Sequence, residues 1–432
     1  MSSLPIKPLA GPVDAVVDVP GSKSLTNRAL IVAALANGTS TLNNVLFADD
    51  THRMLDALQA LGLRMQTIVD DTRVIVIGCN GMIPNTEADL FCGNAGTTMR
   101  FCAALTALAN GTYRLDGVPR MRERPIGQLA AALETLGARV EYEINDGYPP
   151  IIVHGKGLDG ATVHFDDPPS SQLVSAILMV APYARNDVFI DIAGPLISKP
   201  YVRMTTQVMA DFGVHALDEK MQRFIVSAPQ RYTARTYDIE PDASNATYFL
   251  AVPALVGGTV TVRGLGTQSV QGDANFVDVL EAMGCTIDRN SNDLTVHAPP
   301  AGQKLKGIDV DLNAMPDTAQ TLGILALFAD GPTTIRNIAS LRVKETDRID
   351  AMATELTKLG AKTETTEDSI KIHPPEKISP ATIDTYDDHR MAMAFALAGL
   401  AADGVVINDP ECVNKTFPNY FDRLNHYFPL RA

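Results

Sequence analysis

Cations stand at places in this chain where local structure disfavours them. Lys23 and Arg28 lie in GSKSLTNR (21–28), Arg100 ends GNAGTTMR (93–100), and His389 and Arg390 lie in YDDHRMAM (386–393), each at the start of a strongly apolar run. A helix beginning there exposes free N–H groups and the positive end of its dipole, which repel a cation. An anion held between the N–H groups and the cations removes the conflict. The chemistry implied is recognition of phosphate or carboxylate. Gly93 and Gly96 would let such a ligand approach the backbone, and PPSSQ (168–172) offers Ser170, Ser171 and Gln172 as hydrogen-bonding side chains. LRVKETDR (341–348) gathers Lys344, Glu345, Asp347 and Arg348, while MRERP (121–125) brings Arg124 and NKTFPNYF (414–421) brings Lys415. Capping alone explains the Ser, Thr and Asp residues of these lead-ins. It does not explain the cations.

The elements that position these residues repeat. Gly-Thr-strand runs begin at Gly38, Gly111, Gly258 and Gly331, with looser copies at Asn186 and Asp403, so successive starts are 73, 75, 72, 73 and 72 residues apart. Ser24, Thr97, Ser171, Ser244, Asp317 and His389 recur with the same period, each ahead of an apolar helix such as RFCAALTALA or MAMAFALAGLA. A helix apolar on every side is a buried one. A second, amphipathic helix follows each strand, as in Ile126, Leu129, Leu133 and Leu136 before Gly137, a C-cap glycine. The repeat predicts six α/β modules with helices inside and sheets outside. MRERP, VKETDR and NKTFP occupy one place in their repeats, which points to one shared site. Six modules exceed a single core, so two domains of three are expected, dividing near Ile239–Asp242.

Composition narrows the function classes. With 36 Lys and Arg against 50 Asp and Glu, the net charge is −14, which argues against a nucleic-acid binder. The apolar stretch Met391–Ala402 is too short to span a bilayer. The N-terminus MSSLPIKPLAG lacks a signal-peptide core, and five scattered cysteines form no CxxC pair, so a reducing cytoplasm and no metal centre are expected.

Taken together, PGSKSLTNRAL, GNAGTTMR, RMRERPI, SSQ, ISKPY, MPDTAQT, RVKETDR, DDHRMAM and NKTFP closely resemble the 5-enolpyruvylshikimate-3-phosphate (EPSP) synthase family, over about residues 5–421. The resemblance implies a two-domain inside-out α/β barrel of six βαβαββ repeats. The domains would be residues 21–240 and residues 1–20 plus 241–432, with the active site in a cleft between them that substrate closes. It implies transfer of the enolpyruvyl group of phosphoenolpyruvate (PEP) to the 5-hydroxyl of shikimate 3-phosphate, without cofactor or metal. By similarity, Lys23, Ser24, Arg28, Ser170, Ser171, Gln172, Ser198, Tyr201, Asp317, Ser340 and Lys344 would hold shikimate 3-phosphate. Lys23, Asn94, Gly96, Arg124, Gln172, Arg348, Arg390 and Lys415 would surround PEP. Asp317 and Glu345 would move protons, with Lys23 and His389 as further catalytic candidates. Glyphosate is the expected inhibitor, and a monomer without nucleic-acid or membrane partners is expected.

The chemistry is consistent with that assignment. Addition and elimination across an enol ether needs a base on the hydroxyl and an acid for the methylene carbon. Seven cations (Lys23, Arg28, Arg124, Lys344, Arg348, Arg390 and Lys415) match substrates that carry about six negative charges. Two positions depart from the family: Phe101 stands where proline is common, and Ser340 where asparagine is expected. The rival within the fold is UDP-N-acetylglucosamine enolpyruvyl transferase, which carries a catalytic cysteine in the loop that here reads VPRMRERP; no cysteine lies between Cys102 and Cys285. A non-catalytic anion-binding repeat protein would explain the cations but not the carboxylates among them. An RNA-end-processing relative is opposed by the acidic charge.

Overall fold

In the computed structural model, residues 2–428 are described. The chain divides into two units: Gly21–Ile239, and the residues up to Pro20 together with those from Glu240 on.

Each unit repeats one module three times, the last copy in the chain, from Ala381 on, without its hairpin and with Ser3–Pro5 as its third strand. In the second module of Gly21–Ile239, strand Glu87–Phe91 leads to helix Gly96–Leu108, then strand Asn110–Asp116, helix Gly127–Thr135, and the hairpin Arg139–Tyr142 and Ile151–Lys156. The first two strands pair in parallel, with Leu90 opposite Leu115, and the hairpin adds antiparallel, with Tyr113 opposite Val153. A parallel pair needs a crossover, and the helix supplies it. Two modules borrow that first strand from a distant segment. Thr236–Asp238 pairs with Thr39–Asn43, and Val13–Val17 pairs with Gly258–Arg263. Among the described residues six separate sheets result, five of four strands and one of three. The expected inside-out arrangement of helix and sheet is present, but among the described residues no sheet closes into a barrel. Each module satisfies its own ladder and stops.

The crossover helices are the core. All thirteen residues of Gly96–Leu108 are buried, and all of His389–Ala401 except its last residue. Strand residues such as Leu115, Ile151 and Val153 cover them from outside with no exposed surface, each worth about 1.5–3 kcal/mol in transfer terms. Gly155 shows how closely strand and helix approach. A Cβ there would lie 2.2 Å from the Thr106 carbonyl oxygen and 2.5 Å from that of Ala109. The run TYFLAVPALV is not one helix but two, Ala243–Leu250 and Val252–Val256, because Pro253 cannot donate to the preceding turn.

The recurring polar residues prove not to be the caps. Ser22, Ser170, Asp242 and Asp388 are N-caps whose side chains accept from Leu25, Gln172, Asn245 and Arg390 N–H. Ser24, Ser171, Ser244 and His389 fall one or two residues later, in the first turn. Capping and the periodic set are therefore separate jobs on neighbouring residues.

Candidate active site

Asp317 organises the site of the unit that continues from Glu240. It sits in the 3-10 turn Pro316–Thr318 at the entry to helix Ala319–Ala326. Its carboxylate accepts from Lys344 Nζ, from Arg348 Nη1 at 3.0 Å and from Arg390 Nη2 at 2.9 Å. Arg348, 1% exposed, also reaches Glu345 (Nη2–Oε2 2.9 Å) and Asp388 (Nε–Oδ2 2.7 Å, Nη2–Oδ1 3.1 Å). Asp388 in turn accepts the Arg390 N–H at 3.0 Å, and Arg390 Nη1 donates to the Tyr248 hydroxyl at 3.3 Å. His389 is fully buried, with Nδ1 3.5 Å from Asp388 Oδ1. Ser340 is half-buried on the turn Ala339–Val343, and Lys415 ends the turn Pro410–Lys415 at 9% exposed.

The cluster sorts its carboxyls by environment. Burial disfavours ionised Asp317, yet Arg390, Lys344 and Arg348 together outweigh it and hold its carboxyl well below the usual range. Burial pulls the Lys344 ammonium down, against the attraction of Asp317. Asp273 behaves oppositely. Burial and then repulsion from Asp317 push it up to about 6, although the Ser244 hydroxyl donates to it.

The unit Gly21–Ile239 carries its own constellation. Lys23 opens helix Lys23–Leu35, its Nζ 3.1 Å from Asp50 Oδ2. Arg124, just beyond the turn Pro119–Glu123, donates from Nη1 to the Asn94 carbonyl at 2.9 Å and to Asn94 Oδ1 at 3.2 Å. Arg100 donates from Nη1 to Gln172 Oε1 at 2.8 Å and from Nη2 to the Pro125 carbonyl at 3.0 Å, tying two motifs together. Ser170 caps Ser171–Val180, and Ser198 occupies the N-cap position of Lys199–Asp211 in the left-handed region at φ +53°. Arg28 is built into the frame. Its guanidinium donates to Thr205 Oγ1 (2.7 Å) and to the carbonyls of Ser24 (2.9 Å) and Tyr201 (3.1 Å), and burial lowers its pKa to about 10. Phe101 is buried with its ring centroid 5.3 Å from Arg28 Cζ, a cation–π contact.

The family profile described as EPSP synthase (3-phosphoshikimate 1-carboxyvinyltransferase) matches residues 9–424. The chain belongs to the EPSP synthase family. A 3-phosphoshikimate 1-carboxyvinyltransferase of Nostoc punctiforme is 49% identical over 424 residues, covering 98% of this chain and 99% of the relative. The chloroplastic enzyme of that name from Arabidopsis thaliana is 49% identical over 435 residues, covering 97% of this chain and 83% of the relative. Among solved structures, an EPSP synthase from Acinetobacter baumannii matches with a TM-score of 0.81 at 25% identity, covering 99% of this chain and 98% of that one.

Against this EPSP synthase background, three residues stand out that the motifs alone did not single out as site residues: Asp50, Asp273 and Asp388. Asp50 and Asp273 occupy, in the first and fourth repeats, the place that MRERP, VKETDR and NKTFP hold in others. Extending that positional rule to every repeat would have found both. Asp388 was visible in DDHR but indistinguishable there from a cap.

Proposed function

We propose that this chain transfers the enolpyruvyl group of PEP to the 5-hydroxyl of shikimate 3-phosphate, forming EPSP and inorganic phosphate. The observation that carries the reading is the Asp317 carboxylate held by Lys344, Arg348 and Arg390, in a chain whose family is that of the named transferases. Anions arriving on those cations would compete for them with Asp317. The carboxylate, suppressed as a base while three cations hold it, would regain basicity as substrates bind. It would then accept the hydroxyl proton as oxygen attacks C2 of PEP and an acid protonates the methylene carbon. Loss of that methyl proton and departure of phosphate would complete the enol ether. Glu345 is assigned the acid, a role open to it once substrate anions draw Arg348, 2.9 Å away, off its carboxylate.

In the Gly21–Ile239 unit, Lys23, Asn94, Gly96, Arg124 and Gln172 are assigned to PEP. Ser24, Arg28, Ser170, Ser171, Ser198 and Tyr201 are assigned to shikimate 3-phosphate, with Gln172 and Lys23 serving both. Lys344, Asp317 and Ser340 complete the shikimate 3-phosphate set, and Arg348, Arg390 and Lys415 the PEP set. Glyphosate should compete with PEP. A reducing aqueous setting fits five free thiols, and among the described residues no helix is long and apolar enough to cross a membrane. The UDP-N-acetylglucosamine reaction is disfavoured because residues 118–125 hold no cysteine. Proton NMR of the product formed from PEP and shikimate 3-phosphate tests the proposal. Vinyl signals of an enol ether are expected, and pyruvate alone would refute it.

A further inference from the structure

The turn ahead of helix His389–Ala401 is strained. Tyr386 and Asp387 have φ of +56° and +54°, two consecutive non-glycine residues in the left-handed region, where Cβ meets the following carbonyl. Such a conformation persists only where its surroundings over-determine it.

Glu355 does the holding. It lies on helix Arg348–Lys358 and has no exposed surface, although Tyr386 is 41% exposed. The Tyr386 hydroxyl donates to Glu355 Oε1 at 2.6 Å, and the Asp384 N–H donates to Oε2 at 3.1 Å. Lys358 Nζ lies 2.8 Å from Glu355 Oε2 and 2.8 Å from Asp384 Oδ2. Both oxygens of a buried carboxylate are thus committed to one short segment, and a fully satisfied buried network of this kind is rigid. Two turns earlier on the same helix, Arg348 grips Asp388. Residues seven apart share a helix face, so one rigid element holds the strained turn at both ends. What it fixes is Asp388, and through it Arg348 and Arg390.

We propose that Glu355 and Tyr386 are positioning residues for the anion site of Arg348, Asp388 and Arg390. The proposal rests on the reading that this cluster takes PEP. Released from Glu355, the turn would relax toward extended backbone, carrying Asp388 and the Arg390 N–H off register while the helices stay packed.

The test uses the full-length chain with Tyr386→Phe, which removes one hydroxyl from a partly exposed ring, and Glu355→Gln as the stronger change. Tyr386→Phe should raise the KM for PEP by about 3–10-fold, the effect of losing a single hydrogen bond. The KM for shikimate 3-phosphate should stay within about two-fold, and the melting temperature should barely move. In an Arg390→Lys background the same substitution should add little, because its effect passes through Arg390. An unchanged KM for PEP, equal loss for both substrates, or a loss that follows a lowered melting temperature would overturn the proposal. If the wild-type chain releases no phosphate, the enzymatic reading fails instead. Calorimetric titration with PEP would then still compare the two proteins and decide the positioning claim.

Discussion

Gly96→Ala adds one methyl group against the Arg100 and Arg124 guanidiniums of the Gly21–Ile239 constellation. Gly96 opens helix Gly96–Leu108 with φ outside the left-handed region, so alanine suits the backbone and gains about 1 kcal/mol in helix propensity. The added carbon would lie 2.5 Å from Arg124 Nη2, 2.7 Å from Arg100 Nη1 and 2.9 Å from Arg124 Cζ. Ordinary contact begins at 3.4 Å, so the Arg124 guanidinium must retreat by about 0.9 Å and the Arg100 tip by about 0.7 Å. Arg124 is anchored to Asn94 at 2.9 and 3.2 Å, so the retreat loosens both partners. Misplacement by about 1 Å can cost about 100-fold; the KM for PEP should therefore rise by about 10–100-fold. Glyphosate inhibition should weaken at least as much. Shikimate 3-phosphate should lose only about 2–3-fold, through the Arg100–Gln172 bond at 2.8 Å. Steady-state kinetics in both substrates, with a melting curve to show an intact fold, decide it. Equal loss for both substrates, or an unchanged KM for PEP in a folded variant, would refute the reasoning.

Asp317→Asn should lower turnover by about 10²–10⁴-fold. It should also flatten the acid limb of the stability curve. The folded pKa of Asp317 is depressed, so its stabilisation is present above the unfolded value of about 3.9 and is lost as pH falls through the folded value. Melting temperatures of both proteins between pH 6 and 3 check this, and parallel curves would contradict it. Asp388→Asn leaves the buried Arg348 short of a charge partner. Breaking such a pair costs about 3 kcal/mol or more, which lowers the melting temperature of a unit this size by about 6–12 °C; a shift under about 2 °C would count against the network. Alkylation with iodoacetamide should leave turnover within about two-fold, since burial pushes the Cys102, Cys285 and Cys412 thiols up to about 12. Rapid inactivation would revive a thiol mechanism.

The repeat was legible because a buried helix and its lead-in recur with a fixed period, so Ser24, Thr97, Ser171, Ser244, Asp317 and His389 could be aligned without any relative. The strand donations were not legible. Val13–Val17 reads like any short strand, and only the ladder to Gly258–Arg263 shows which module it completes. Asp317, Lys344 and Arg348 belong to the fifth module and Arg390 to the sixth. Periodicity aligned Asp317 with His389, the neighbour of Arg390, at crossover-helix entries, and VKETDR with MRERP and NKTFP after the following strand. Periodicity could not say that Asp317 would be shared among three cations, or that the Asp273 carboxyl would be pushed up to about 6. Those facts depend on burial depth and side-chain reach. A module repeat specifies each sheet but not whether neighbouring sheets join, and here they stay separate among the described residues.

The central claim is that this chain uses PEP as donor and shikimate 3-phosphate as acceptor. Inorganic phosphate released from PEP, followed with each acceptor in turn, tests it most directly. Release stoichiometric with shikimate 3-phosphate and none with UDP-N-acetylglucosamine is predicted. Release with UDP-N-acetylglucosamine alone, or with neither acceptor from a folded protein, would contradict it.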